Sequence, residues 1–251
     1  MPFNPPDSFS TQIEQLLPYV SPVLVYPRVY SGIENPITGG SALLASTEEN
    51  RFLITAHHFV REIDNLKMQR EVVVLLGGTD SAPIHISSWL TIAHNEFLDI
   101  CTIQVPHDFD AAELNKTFFV LDRWPPTQAN KDDQVLVIGF PADHRQAFGW
   151  RINARALPIG GVVTDSGPKR FIIADEEGER EILINPHNLT FPQHVGGMSG
   201  SPVFRISENT RPEFTGVLVE ASDGLRGTYF CSHSHFLLLN GQLDYTRIPS
   251  W

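Results

Sequence analysis

The chain has 251 residues, of which 41% are hydrophobic, and its formal net charge is −11 at pH 7. This length and apolar content suffice for one large β unit or two smaller ones. No apolar run approaches the ~20 residues of a membrane span, so we do not expect a membrane partner. No basic stripe of the kind that binds nucleic acid is present, so we do not expect nucleic acid either.

The first part of the chain predicts a short helix and then strands. Residues 1–24 form a Pro-rich extension with one short amphipathic helix, which Pro18 ends. Strands dominate residues 25–121, with a short helical stretch after His58. Alternating or apolar runs bounded by turn residues carry this prediction: SALLAS, RFLITA, EVVVLLG, IHISSWLTIA, LDICTIQV and TFFVL.

The best internal boundary is residues 122–133, DRWPPTQANKDD, where paired prolines and polar residues interrupt the apolar runs. A second strand-rich half follows over residues 134–236, and residues 237–251 read as a C-terminal tail. The second half includes QVLVIGF, the hairpin RFIIADEEGEREILIN, GSPVFRI and FTGVLVEAS. Two strand-rich halves with Gly/Pro turns predict an all-β protein built of barrels or sandwiches.

Cysteine usage and the first residues favour a cytoplasmic protein. Cys101 and Cys231 each lie in an apolar, strand-like run, which favours two reduced core thiols over a disulfide. MPFNPPDSFSTQ has no basic segment followed by an apolar one, so no secretory signal is visible.

Three short patterns carry the chemistry, and they occur in a fixed order. LITAHHFV ends with two histidines, FLDICTIQV contains Asp99, and GGMSGSPVF forms a glycine-rich corner around Ser199. Taken singly, each pattern has an ordinary structural explanation. The histidines could be a core histidine or a metal pair, Asp99 could simply start a strand, and the glycine-rich stretch could be a loop. Taken together, the order His, Asp, Ser matches one known arrangement for activating a serine nucleophile.

On these residues the chain resembles the trypsin-like (chymotrypsin-fold) serine peptidases, in particular the bacterial and HtrA-type members. LITAHHFV, LDICTI, GGMSGSPV and VLVIGFP each resemble a family motif, and the resemblance covers roughly residues 25–236. It implies two antiparallel six-stranded β-barrels joined by residues 122–133, with the active site between them. It also implies the catalytic residues His58, Asp99 and Ser199.

The resemblance assigns a role to each residue. His58 would take the Ser199 proton, Asp99 would orient the His58 ring, and the N–H groups of Gly197 and Ser199 would form the oxyanion hole. The family pattern selects His58 over His57, and on a strand these neighbours would point to opposite faces.

The sequence also departs from the family. Met198 occupies the position where secreted zymogens carry an acid, so activation by an inserted N-terminus is not expected. Val219 replaces the serine that supports the triad aspartate. Lys/Arg-specific relatives carry an acid six residues before the nucleophile, where this chain has Gln193. We therefore expect non-tryptic specificity for a small or medium side chain. The predicted substrate pocket comprises Gln193, His194, Glu220, Ala221 and Gly227.

His233 and His235 share one predicted strand face as a candidate metal pair, but no third ligand accompanies them, so we expect neither metal nor cofactor. The leading hypothesis is a serine endopeptidase acting on polypeptides. One alternative is a trypsin-fold peptide- or protein-binding module that is catalytically weak or inactive. Another is an effector whose proteolysis an activating protein partner switches on.

Overall fold

The computed structural model describes residues 8–28, 36–77, 82–148, 151–174, 195–208, 210–222 and 227–249. These residues contain two α-helices, α1 (Phe9–Leu16) and α2 (His57–Gln69), and three short 3₁₀ helices, Leu17–Tyr19, Ala111–Leu114 and Ala142–His144. In this part of the chain no helix has the length and apolar character needed to cross a bilayer.

Strands of the first half form one eight-stranded sheet. Seven of them follow the order β5-β4-β1-β2-β3-β7-β6 through antiparallel pairs, and β8 adds to β2 in parallel. Their bounds are β1 (Val20–Pro27), β2 (Thr38–Ser46), β3 (Arg51–Ala56), β4 (Val72–Leu76), β5 (Ile84–His85), β6 (Thr91–Asn95), β7 (Ile100–Gln104) and β8 (Phe119–Val120).

Strands of the second half form a closed barrel in the order β12-β13-β16-β15-β14-β9, and β10 and β11 make a separate hairpin. Every pair in this barrel is antiparallel. The bounds are β9 (Gln134–Gly139), β10 (Arg145–Phe148), β11 (Arg151–Ala154), β12 (Leu157–Ser166), β13 (Arg170–Ala174), β14 (Pro202–Arg205), β15 (Glu213–Ser222) and β16 (Thr228–His233).

The all-β prediction is therefore confirmed, and the prediction of two six-stranded barrels is confirmed for one of them. In the described residues the first sheet remains open, because its end strands β5 and β6 do not pair with each other. β5 has only two residues, too few to continue the ladder around a closed wall. The short N-terminal helix is present as α1, which gives way to a 3₁₀ turn containing Pro18.

One apolar cluster joins the two halves and so fixes how they face each other. Phe52 and Ile54 from β3 lie in the same buried cluster as Leu136 and Phe204 from the second barrel. Burial of this shared surface holds the two halves together along one interface, which we call the seam. Residues 122–133, the predicted linker, contain no strand and connect β8 to β9. Residues 175–194, which include most of the predicted RFIIADEEGEREILIN hairpin, lie outside the described residues.

Candidate active site

His58 lies in the first turn of helix α2, at the point where strand β3 ends. Its backbone N–H donates to Asp99 Oδ1 at 2.7 Å, and its ring Nδ1 lies 2.6 Å from Asp99 Oδ2. The N–H groups of a first helical turn have no partner within the helix, and Asp99 supplies one of them with an acceptor. One carboxylate therefore fixes both the backbone and the ring of His58.

His57 stands apart from this pair. The sequence predicts both histidines on a strand, but β3 ends at Ala56, and His57 and His58 are the first two residues of α2. The His57 ring stacks on His94, with centroids 4.6 Å apart and planes 9° from parallel. Partial burial and the neighbouring His94 ring lower the pKa of His57. Of the two histidines, His58 has the carboxylate partner.

Asp99 ends a tight turn between β6 and β7 and adopts φ +54°, a left-handed conformation that aspartate tolerates better than most residues. Asn95 Oδ1 accepts from the Leu98 N–H at 2.9 Å within this turn. From the second barrel, the Ser232 hydroxyl donates to the Leu98 carbonyl and Arg170 donates to the Phe97 carbonyl at 3.2 Å. The second barrel thus helps to hold the aspartate turn, through residues that sequence analysis did not single out.

The corner around Ser199 is a pair of left-handed glycines flanking Met198 and Ser199. Gly197 and Gly200 have φ +89° and +87°, values that residues with a Cβ rarely adopt. A Cβ on Gly200 would collide with the Ser41 carbonyl and with Thr55 Oγ1. The corner therefore sits directly against β2 and the end of β3, next to the start of α2.

The carbonyls of residues 195–199 are all hydrogen-bonded. The Val195 and Met198 carbonyls accept from the N–H groups of Met198 and Ser201 at 3.1 and 2.9 Å, and the Gly196 carbonyl accepts from Ala142 at 2.7 Å. The Ser199 carbonyl accepts from the Ser41 N–H at 2.8 Å. Through these bonds the carbonyl oxygens of the corner are directed toward the rest of the protein.

The Gly197 carbonyl, the remaining one, accepts from the Ser41 hydroxyl and from Arg145 Nη2 at 3.1 and 3.2 Å. In contrast, the N–H groups of Gly197 and Ser199 donate to no other residue among those the structure describes. These two donors are the predicted oxyanion pair. Gly197 and Ser199 are half-buried, so both N–H groups remain accessible to an acceptor that binds at the corner.

Within the described residues, no hydrogen bond joins Ser199 Oγ to the His58 ring. The corner is nevertheless docked beside it, since a Cβ on Gly200 would approach Ala56 N to 3.0 Å and Ala56 precedes the two histidines. Hydrogen bonds between catalytic groups are often long without substrate and tighten when it binds.

The predicted pocket residues are divided between described and undescribed parts of the chain. Glu220 and Ala221 lie on β15 beyond its last residue paired with β14, and Gly227 directly precedes β16. Gln193 and His194 lie outside the described residues. Val219 is buried and carries no hydroxyl, so in the described structure Asp99 receives its two side-chain bonds from His58 alone.

His233 and His235 do not form part of this region. His233 is fully buried at the end of β16, its Nε2 lies 3.0 Å from the Gly167 carbonyl, and burial lowers its pKa to about 4. His235 lies beyond the strand, so the two do not share a strand face. Across the described parts of the chain, no group of three metal-ligating side chains is present. Cys101 and Cys231 are free and buried, and burial raises the pKa of Cys101 to about 12.

Comparison with solved structures agrees with this architecture. A serine endoprotease from Yersinia pestis aligns with a TM-score of 0.55 at 17% identity, covering 92% of this chain and 64% of that one. A thermostable serine protease from an extremophilic microorganism gives 0.51 at 12% identity, covering 87% and 92%. A protease from M. tuberculosis in its active form gives 0.50 at 15% identity, covering 92% and 83%.

The fold is that of the trypsin-like serine proteases. This chain spans less than two thirds of the Yersinia protein. No protein-family model matches the sequence, and no curated protein matches it either. Identities this low relate the chain to the serine protease fold and not to a particular member of the family.

Proposed function

We propose that this chain is a serine endopeptidase in which Ser199 is the nucleophile, His58 the base and Asp99 the residue that orients the base. The observation that carries this proposal is the His58–Asp99 pair, at 2.6 Å, beside a serine corner whose two free N–H groups belong to Gly197 and Ser199. A base with its orienting group, together with two available backbone donors, is the arrangement that acyl transfer requires.

In this mechanism Asp99 holds the His58 Nδ1–H and leaves Nε2 free to take the proton of Ser199. The serine oxygen then bonds to the scissile carbonyl carbon, and the oxygen of that carbonyl becomes an anion. The N–H groups of Gly197 and Ser199 would stabilise this anion, and His58 would return the proton to the departing amine. Water would then release the acyl group by the same steps, with the water molecule as nucleophile in place of the Ser199 hydroxyl and Ser199 as the leaving group.

The end of β15 supports binding of an extended polypeptide. Glu220 and Ala221 pair with Phe230 and Tyr229 of β16 on one side, and in the described structure no strand pairs with their other side. A strand edge of this kind can bind a substrate backbone by strand addition. Glu220 is exposed there, and Ala221 is small. We expect the cleaved residue to have a small or medium side chain.

Regulation by a partner, rather than by an inserted N-terminus, is part of the proposal. Met198 is buried and packs in an apolar cluster of the second barrel, where a zymogen-type acid would need a cationic partner. Since the corner needs no such pair, control would come from outside the corner, through a protein that changes access to the site.

A fluorophosphonate probe tests the proposal directly. The wild-type protein is expected to label, and Ser199→Ala is expected to lose the label while keeping its thermal unfolding midpoint, since Ser199 Oγ bonds to no described group. Unchanged labelling of Ser199→Ala would falsify the assignment of the nucleophile. Tight binding of library peptides without cleavage, unaffected by Ser199→Ala, would instead establish the non-catalytic binding module.

A further inference from the structure

Arg145 is a largely buried cation next to the serine corner. It begins strand β10, and among the described residues no carboxylate pairs with its guanidinium. Burial lowers its pKa to about 10, so it stays charged at neutral pH. A buried charge without a counter-charge is costly unless hydrogen bonds compensate it. The contacts of this side chain therefore indicate why the fold tolerates it.

Those contacts converge on the backbone of the corner. Arg145 Nη2 donates to the Phe140 carbonyl at 2.6 Å and to the Gly197 carbonyl at 3.2 Å. The Ser41 hydroxyl completes the arrangement, because it donates to the same Gly197 carbonyl at 3.1 Å and accepts from the Phe140 N–H at 2.9 Å. We call Arg145 and Ser41, with the two carbonyls and the N–H that they bind, the carbonyl clamp.

Two glycines make room for the guanidinium. A Cβ on Gly39 would overlap Arg145 Nη1, and a Cβ on Gly197 would overlap Nη2. Gly39 belongs to β2 of the first sheet, whereas Gly197 belongs to the serine corner. The guanidinium therefore fills a slot between the two halves that is open only because both positions lack a side chain.

The clamp fixes the conformation of Gly197. The peptide before this residue is held through the Gly196 carbonyl by Ala142, and the peptide after it is held through its own carbonyl by Arg145 and Ser41. With both flanking peptides held, rotation about φ or ψ of Gly197 breaks at least one of these bonds. Glycine is the residue most free to rotate, so its N–H needs such restraint to keep one direction.

We propose that Arg145 is a positioning residue that holds the Gly197 N–H in the oxyanion-binding direction, through the carbonyl clamp and in place of an ion pair at Met198. This inference rests on the proposed function. Preorganised donors contribute most when they cost no rearrangement during the reaction. The clamp supplies part of that rigidity by holding the Gly197–Met198 peptide, which adjoins the peptide that carries the Gly197 N–H.

The test uses Arg145→Gln, Arg145→Lys, Ser41→Ala and the double variant Arg145→Gln/Ser41→Ala in the full chain. Arg28→Gln is the matched control, because Arg28 is exposed and its ion pair is with Glu71. The rate of fluorophosphonate labelling is measured per folded molecule, with the folded fraction taken from thermal unfolding. We expect Arg145→Gln to lower this rate ~10²-fold, as for one lost oxyanion donor.

Two patterns separate positioning from mere support of the fold. Arg145→Lys should recover at least part of the rate, since an ammonium can still reach a carbonyl. The double variant should be only slightly slower than Arg145→Gln alone, because both side chains act on one carbonyl. Multiplicative effects of the two changes, or a wild-type rate in folded Arg145→Gln, would overturn the proposal.

Backbone amide exchange over residues 198–201 supplies a readout that needs no activity, since the N–H groups of Met198, Gly200 and Ser201 are hydrogen-bonded there. Exchange should quicken in Arg145→Gln and stay unchanged in Arg28→Gln. If the wild-type protein fails to label at all, the proposed function falls and exchange alone decides the clamp: faster exchange supports it, and unchanged exchange overturns it.

Discussion

The two halves of the molecule hold their parts of the candidate site in different ways. The first, open sheet presents His58 and Asp99 as side chains joined directly to each other, at 2.6 Å. The closed second barrel presents Ser199 on a corner whose Ser199 side chain bonds to no described group, whereas the carbonyls of residues 195–199 are all hydrogen-bonded. One half orders side chains, and the other orders peptide groups.

Under the proposed function, this difference follows from what each half would supply. A base must keep one ring orientation, which a single carboxylate can impose. An oxyanion hole consists of backbone N–H groups, which can be aimed only by fixing the peptides that carry them. Hydrogen bonds cross the seam in both directions: Ser41 of the first half binds the Gly197 carbonyl of the corner, and Ser232 of the second half binds the Leu98 carbonyl in the Asp99 turn. Each half therefore orders the site of the other.

The largest effect is expected from breaking the side-chain pair of the first half. Asp99→Asn replaces an acceptor of the His58 Nδ1–H with an amide of the same shape, which favours the wrong ring tautomer. We expect fluorophosphonate labelling to slow by ~10³- to 10⁴-fold at neutral pH. Asp64→Asn on the exposed face of α2 is the control. A loss under tenfold would mean that Asp99 does not orient the base.

The second-largest effect is expected from Gly200→Ala, which perturbs the backbone of the serine corner. The added Cβ meets the Ser41 carbonyl and Thr55 Oγ1, and φ +87° adds strain. We expect a loss of several kcal/mol in the free energy of unfolding, of the order that overpacking a tight core position costs.

The matched control is Gly196→Ala, where a Cβ would meet nothing within 4 Å, and its unfolding midpoint should stay near wild type. Urea unfolding of both variants measures the contrast. Equal midpoints for the two variants would show that the corner is not docked against the first sheet.

A smaller effect is expected at the opposite crossing of the seam. Ser232→Ala removes the hydroxyl that binds the Leu98 carbonyl in the Asp99 turn. We expect about 1–3 kcal/mol of lost stability, because a buried carbonyl is left unpaired, together with a several-fold slower labelling rate.

Ser166→Ala provides the comparison, since its hydroxyl also donates to a carbonyl, that of Ala129, which is not part of the Asp99 turn. It should lose stability without losing labelling rate per folded molecule. A similar drop in labelling for both variants would remove the special role of Ser232.

The smallest effect is expected in the pH dependence of the free energy of unfolding, and it arises from a lysine of the first half. Burial lowers the pKa of Lys116 from its ordinary 10.5 to about 8, and its ammonium donates to the Leu17 carbonyl at 3.1 Å. Between these two pKa values the unfolded chain binds more protons than the folded one, so stability rises with pH. From pH 7 to 9.5 the expected gain is about 2 kcal/mol.

Lys116→Met should remove this gain while keeping the buried stem. Urea unfolding of both proteins at several pH values between 7 and 9.5 gives the difference between them, which cancels the contribution of all other titrating groups. A slope that persists unchanged in Lys116→Met would place its origin elsewhere.

Part of the candidate site could be foreseen because its signals are local. His58, Asp99, Gly197 and Ser199 each stand in a short pattern that the sequence displays directly. Arg145, Ser41 and Ser232 could not be found in this way. They bind carbonyls of the serine corner and of the Asp99 turn that lie at least 52 positions away in sequence, and a carbonyl has no residue identity from which a partner could be predicted.

The sequence by itself determined the all-β character, the short N-terminal helix and the order of the chemical residues, because strand alternation, proline and glycine act over a few neighbours. Tertiary structure alone decided that one barrel closes and the other sheet stays open in the described residues, and that both histidines leave the strand. It also decided which peptides the seam holds. These outcomes depend on packing between residues far apart in the sequence, such as Ser41 and Gly197, 156 positions apart, where the free energy of burial rather than local preference sets the geometry.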